Sequence, residues 1–170
     1  MTTQTAAIGA IIVRELASLR QEVEAYPSDA ELWKVLPGIA NSGGTLALHL
    51  AGNLQHFVGA ILGGSSYVRN RDAEFATRGL TRAEVARRVD DASAAVQKTF
   101  RNLGPADLGA EYPEPVAKVR LNTGDFLTHL ASHLAYHLGQ VDYHRRIVTG
   151  SPATVGTVAP GKLASARPVE

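Results

Sequence analysis

Apolar residues recur at spacings of three and four along four long stretches of the chain, the period of amphipathic helices. Ile8, Ile11, Ile12, Leu16, Leu19 and Val23 predict a first helix from about Thr5 to Glu24, which Tyr26-Pro27 terminates. Leu46, Leu48, Leu50, Leu54, Phe57, Val58 and Ile61 predict a second, from about Ser42 to Leu62. Its apolar content is high enough to expect burial on more than one side, and Gly63-Gly64-Ser65-Ser66 stops it. Thr81 followed by Glu84 is a capping box that opens a third helix. Val85, Val89, Ala92, Val96, Phe100 and Leu103 carry its stripe, and Gly104-Pro105 closes it. Phe126, Leu127, Leu130, Leu134, Leu138, Val141 and Ile147 predict a fourth, from about Thr123 to Val148, ending at Gly150.

The stretches between are expected to be less regular. Ser28, Asp29 and Glu31 open a short helical turn carrying Trp33, and residues 67–79 read as a polar connection. Residues 105–120 read as a long loop with a short extended stretch at Val116–Leu121. Four helices of this length predict an all-α protein, a four-helix bundle. The connections between helices one and two and between three and four are long for simple up-and-down topology. They point to a crossover or to loops folded over one end. The bundle is expected to occupy residues 1–150. Residues 151–170 show no period and read as a loosely packed or partner-contacting extension.

Composition narrows the chemistry. The 170 residues are 45% apolar and 19% charged, as in an ordinary globular domain. Without cysteine, disulfides, thiolate metal sites and a cysteine nucleophile are excluded. The formal net charge of +1, with acids beside most arginine clusters, argues against a nucleic-acid partner. The opening residues lack a basic region ahead of their mild apolar run, so no signal peptide is expected. No apolar stretch approaches the roughly 20 residues of a membrane span, and a cytoplasmic location is the default expectation.

The histidines stand out. Six occur, at positions 49, 56, 129, 133, 137 and 144. His129, His133 and His137 repeat every four residues, on one face of the fourth helix. The outer two lie about 12 Å apart along the axis, too far to share one ion easily. The expectation is two ligands from this helix and a third from elsewhere. The second helix offers His49 and His56, seven residues apart on one face with Asn53 between them. Spacing leaves the choice among the six open. Three imidazoles suit a borderline divalent ion and leave room for water, a thiolate or a carboxylate.

Three segments resemble the DinB-like superfamily of metal-binding four-helix proteins. They are His49-Leu-Ala-Gly-Asn-Leu-Gln-His-Phe57, Gly63-Gly-Ser-Ser-Tyr-Val-Arg-Asn-Arg-Asp-Ala-Glu-Phe75 and His133-Leu-Ala-Tyr-His-Leu-Gly-Gln-Val-Asp-Tyr-His-Arg-Arg146. A histidine pair four apart running into Gly139-Gln140 is the most specific of these, and the resemblance spans roughly residues 5–150. It implies metal ligands His49, His133 and His137, with zinc or nickel the usual ion, and a homodimer formed through bundle helices. His129 becomes a supporting or pocket residue and His56 a weaker candidate. Relatives include mycothiol-dependent maleylpyruvate isomerases and bacillithiol or glutathione S-transferase-like proteins. The resemblance therefore implies a metal-dependent enzyme using a low-molecular-weight thiol, of S-transferase or isomerase type, or a hydrolase. A non-catalytic metal-binding or stress-associated protein is the alternative.

The flanking polar residues have quieter readings. Arg69 and Arg71, with Asp72 and Glu74, read first as an ion-pair network fixing the loop, and second as holders of a substrate or cofactor carboxylate. Asn53 reads as a partner for a metal-bound water or a buried polar group. Gln140 is placed to reach a neighbouring helix or the pocket, Gly139 to allow close helix packing. Tyr136, Tyr143 and Trp33 read as core or interface aromatics, and His144 as structural.

Overall fold

The computed structural model describes residues 4–155, 160, 163 and 165–169. Expectations for the rest of the 151–170 extension lie outside the described residues. The protein is all-helical: α1 (Gln4–Glu24), α2 (Asp29–Leu32), α3 (Gly43–Leu54), α4 (Arg71–Ala76), α5 (Arg82–Phe100), α6 (Pro105–Gly109) and α7 (Thr123–Thr149). A segment of wide turns, Gln55–Leu62, continues α3 without a break. No described helix is long and apolar enough to cross a membrane.

Four long helices frame the core. α1 packs on α5 and α7, and α3 packs on the same two, so α1 and α3 occupy opposite corners. Both long connections therefore cross the core, in keeping with their length. Ile12, Leu16, Leu19 and Val23 of α1 meet Leu50 and Leu54 of α3, Val89 and Val96 of α5, and Leu127 and Leu134 of α7 in one buried cluster. Every residue of α3 is buried, as its all-round apolar sequence requires. The capping box at Thr81 is present, with each partner accepting from the other's backbone N–H. Gly150 ends α7 in the left-handed conformation, with φ 67°.

Three differences from the expected elements matter for the site. Residues 71–76, expected as connection, form α4, capped by the Asn70 side chain on the Ala73 N–H. The second helix does not stay α-helical to Leu62, because a π segment takes over at Gln55. Side chains satisfy carbonyls there: Tyr112 Oη donates to Phe57 O at 2.6 Å, and Thr99 Oγ1 lies 3.1 Å from Val58 O. The extra residue in each wide turn shifts the later positions out of α-register, so His56 leaves the row that His49 begins. Finally, the extended stretch expected at Val116–Leu121 opens with a tight turn over Val116–Val119, after which Leu121 O accepts from the Tyr112 N–H at 2.8 Å. Ala117 and Lys118 both have positive φ, at 50° and 69°, and Val116 and Val119 exchange backbone bonds of 2.9 and 3.0 Å.

Candidate metal centre

Two facing helices build the site. His49 projects from the buried middle of α3, and His133 and His137 from successive turns of α7. One ring nitrogen from each lies within 4.8 Å of the other two. The rings pack edge to face, with centroids 4.6 to 5.6 Å apart and interplanar angles of 83° to 87°. No other histidine or carboxylate joins this group among the described residues.

The outward nitrogens are anchored. His49 Nδ1 donates to Glu74 Oε2 at 3.0 Å, and His137 Nδ1 to Gln140 Oε1 at 2.6 Å. An Nδ1 that carries the proton leaves Nε2 with a free lone pair. His49 Nε2 then faces His133 Nε2 at 3.4 Å. Glu74 is itself held by Arg69, whose Nε and Nη2 donate to its two oxygens at 2.7 and 2.9 Å. Burial pushes the Glu74 carboxyl up, but the His49 hydrogen bond and the Arg69 guanidinium outweigh it and hold it below its ordinary range. Glu74 is thus an ionised carboxylate orienting the imidazole of a candidate ligand, the supporting arrangement of many histidine metal sites.

His133 is pushed down to about 4, first by burial, then by the neighbouring rings of His137, His49 and His129 and by Arg69. It is therefore neutral at ordinary pH, as a ligand must be. Its folded value lies below the unfolded 6.5, so the unfolded chain takes up a proton that the folded one refuses. The metal-free protein is expected to lose stability as pH falls from about 6.5 towards 4. Thermal melts of wild type and His133→Leu at pH 7, 6 and 5 check this: the wild-type slope should be the steeper. Equal slopes would remove His133 as a cause. Three converging ring nitrogens, two of them on rings anchored at Nδ1, are a donor set that fits a borderline divalent ion.

The remaining expected residues divide. His129 stands one turn before the pair and stacks on His133, with centroids 6.1 Å apart, but is not in the nitrogen cluster. His56 turns to Glu114, with Nε2 3.3 Å from its carboxylate. His144 is 2% exposed and structural: its Nε2 donates to Lys34 O at 2.8 Å, and its Nδ1 lies 2.6 Å from the Tyr26 hydroxyl. Burial lowers it, against the raising effect of the Lys34 carbonyl. Arg69 belongs to the ion-pair network as expected, while Arg71 lies over the Phe75 ring at 4.9 Å. Asn53 is 7% exposed, and its Oδ1 is buried with no partner among the described residues. Tyr136 and Tyr143 are exposed, not core. Among the described residues Gly139 approaches no other helix, since a Cβ built there meets nothing within 4 Å.

Sequence reasoning missed Glu74 as an orienting group, and with it Gly52. A Cβ at Gly52 would lie 2.2 Å from Glu74 Oε1. A glycine within a buried apolar helix, three residues after a candidate ligand, was the available signal. Gly52→Ala is expected to displace Glu74 from His49 and weaken metal affinity by roughly 10- to 100-fold. Competition titration against a chromogenic chelator reads this, and unchanged affinity would detach Glu74 from the site.

The fold and this site together define a class: helical proteins with a three-histidine centre suited to a divalent metal. The DinB superfamily model matches residues 11–141, a stretch containing all three histidines, and the chain belongs to that superfamily. No curated protein and no solved structure matches it.

Proposed function

We propose that this protein is a metal-dependent enzyme that activates a low-molecular-weight thiol for attack on an electrophile, in the manner of S-transferases or isomerases. The observation that carries the reading is the protein donor set, which stops at three: His49, His133 and His137 converge with no fourth protein ligand in their group among the described residues. Structural sites usually close with a fourth ligand, whereas catalytic ones keep a position open. An ion held there, zinc or nickel in our reading, supplies Lewis acidity that lowers the pKa of a coordinating thiol or water. Glu74 and Gln140 fix the two imidazoles from outside. Arg69 compensates the Glu74 charge, so the centre keeps the full charge of its ion. With no cysteine in the chain, a reacting thiol comes from a second molecule.

Cobalt-loaded protein tests the reading. Adding small thiols is expected to bring up a sulfur-to-cobalt charge-transfer band in wild type and none in His49→Ala. Absence of the band in fully loaded wild type would favour hydrolysis or a non-catalytic metal-binding role.

We further propose a homodimer through the outer face of α7. Tyr136, Tyr143 and Ile147 are 66%, 67% and 58% exposed there, and Gly139 between them leaves room for a close partner. The double variant Tyr136→Arg/Tyr143→Arg is expected to elute as a monomer in light-scattering chromatography, and a wild type that is already monomeric would refute the dimer.

A further inference from the structure

A cleft of about 380 Å³ opens beside the three-histidine centre, between the Val116–Leu121 stretch and the start of α7. Its walls are almost wholly apolar. Val116, Val119, Leu121 and Phe126 line it, while Asp125 carries its one charged side chain. His129 also lines it, and this ring connects the cleft to the centre. It stacks on Phe126 at 6.0 Å and 12°, and on the ligand His133 at 6.1 Å and 25°. The cleft thus begins one imidazole away from a ligand. Val116 and Val119 owe their place in its wall to the tight turn, whose reciprocal backbone bonds set them directly opposite each other.

We infer that this cleft receives the apolar body of the thiol that reacts at the centre, and that this substrate is an uncharged thiol with an aryl or medium-length alkyl group. Three observations support that occupant. The volume suits a single ring or a short chain, at the small end of ligand pockets. The lining offers burial and few hydrogen bonds, so it rewards apolar area and not polarity. Asp125 is the charge at its wall, which disfavours an anionic body. His129 stands where the apolar body ends and the reacting end begins, stacked between Phe126 and His133. This inference rests on the metal reading above, and it adds a substrate class to it.

Two measurements on the same metal-loaded protein test it. The first uses benzyl alcohol, which carries no sulfur, and tracks the methyl resonances of Val116, Val119 and Leu121 by NMR. Saturable shifts confined to these residues and His129 are expected, and lost in Val119→Asp. Val119 is 53% exposed, so this variant is expected to fold. Benzoate is expected to bind at least tenfold more weakly. Absence of shifts with benzyl alcohol, or equal binding of benzoate, overturns the inference whatever the centre does.

The second records the cobalt–sulfur band with ethanethiol, butanethiol and hexanethiol. Affinity is expected to rise about fourfold for each methylene that enters the cleft, and Val119→Asp should abolish the rise but leave ethanethiol binding intact. A band with equal affinity for all three thiols shows that the cleft does not serve the centre and overturns the inference. If benzyl alcohol binds as expected and no thiol gives a band, the cleft stands as an apolar-ligand site and thiol activation falls.

Discussion

Replacing His133 with alanine is expected to abolish stoichiometric metal binding while leaving the helical fold intact. His133 provides one of three converging ring nitrogens, and a two-histidine remnant cannot complete a tight protein site for zinc or nickel. The loss should exceed the roughly 10- to 100-fold typical of removing a supporting partner. Elemental analysis of protein purified without an affinity tag is the measurement, with circular dichroism confirming the helices. The fold should survive because His133 is half-buried at the edge of the core and carries a penalty there: burial and its neighbours hold it at about 4. His129→Ala is the informative partner experiment. It removes the stacked neighbour and should leave one metal per chain. A His129→Ala protein that loses its metal while His133→Ala keeps it would reverse the ligand assignment.

That pair of variants addresses the ambiguity that spacing alone leaves in the row of histidines. Helical periodicity places His129, His133 and His137 on one face, but it does not say where along α7 the partner helix supplies its ring. The structure answers through a second contact. Phe57 packs on Phe126, with centroids 5.0 Å apart, while His49 meets His133 and His137. The two helices therefore run antiparallel, and this alignment sets His49 opposite the later histidine pair. Resemblance to the DinB-like proteins selects the same three residues without that geometry.

Other parts of the site are less legible, for reasons that can be named. Glu74 sits on a helix of six residues, too short for a period to register among the arginines and acids around it. Periodicity also does not separate α from π turns in a continuously apolar run, since both keep the same residues near the core. The departure at Gln55 is therefore invisible in the pattern, along with the turning of His56 towards Glu114. Gly139 reads as a close-packing glycine because a glycine in a helix has a cost that burial commonly explains. It faces outward instead. The capping box at Thr81 and the glycine stop at Gly150 are legible because each is a local motif with its own chemistry, independent of what packs on it.

Arg145→Met is expected to be the most destabilising single change away from the metal centre. Arginines near the end of a helix suggest solvent and a favourable dipole, yet Arg145 is 2% exposed and its partner Glu22 on α1 is 4% exposed. Its Nε donates to Glu22, while its Nη2 donates to Asp142 at 3.1 Å and to Ala153 O at 2.7 Å. One guanidinium thus ties together α1, α7 and the start of the C-terminal segment. Removing it strands the Glu22 carboxylate in the core, at a cost of about 3–5 kcal/mol, or roughly 10 °C in melting temperature for a chain of this size. The pH dependence identifies the cause. Burial already holds Glu22 above its ordinary 4.5, with Arg145 opposing it, and loss of Arg145 moves it further up. A carboxyl raised in the folded state favours folding while protonated, and that advantage is lost as pH rises from 4.5 through the folded value. The deficit of Arg145→Met should therefore be largest at neutral pH and shrink on acidification. The double variant Glu22→Leu/Arg145→Met removes both charges and should recover most of the loss. Urea titrations at pH 7 and pH 5 decide the matter: a deficit that does not change with pH, or a double variant no better than the single, would show that packing of the arginine stem and not its charge holds this end of the bundle.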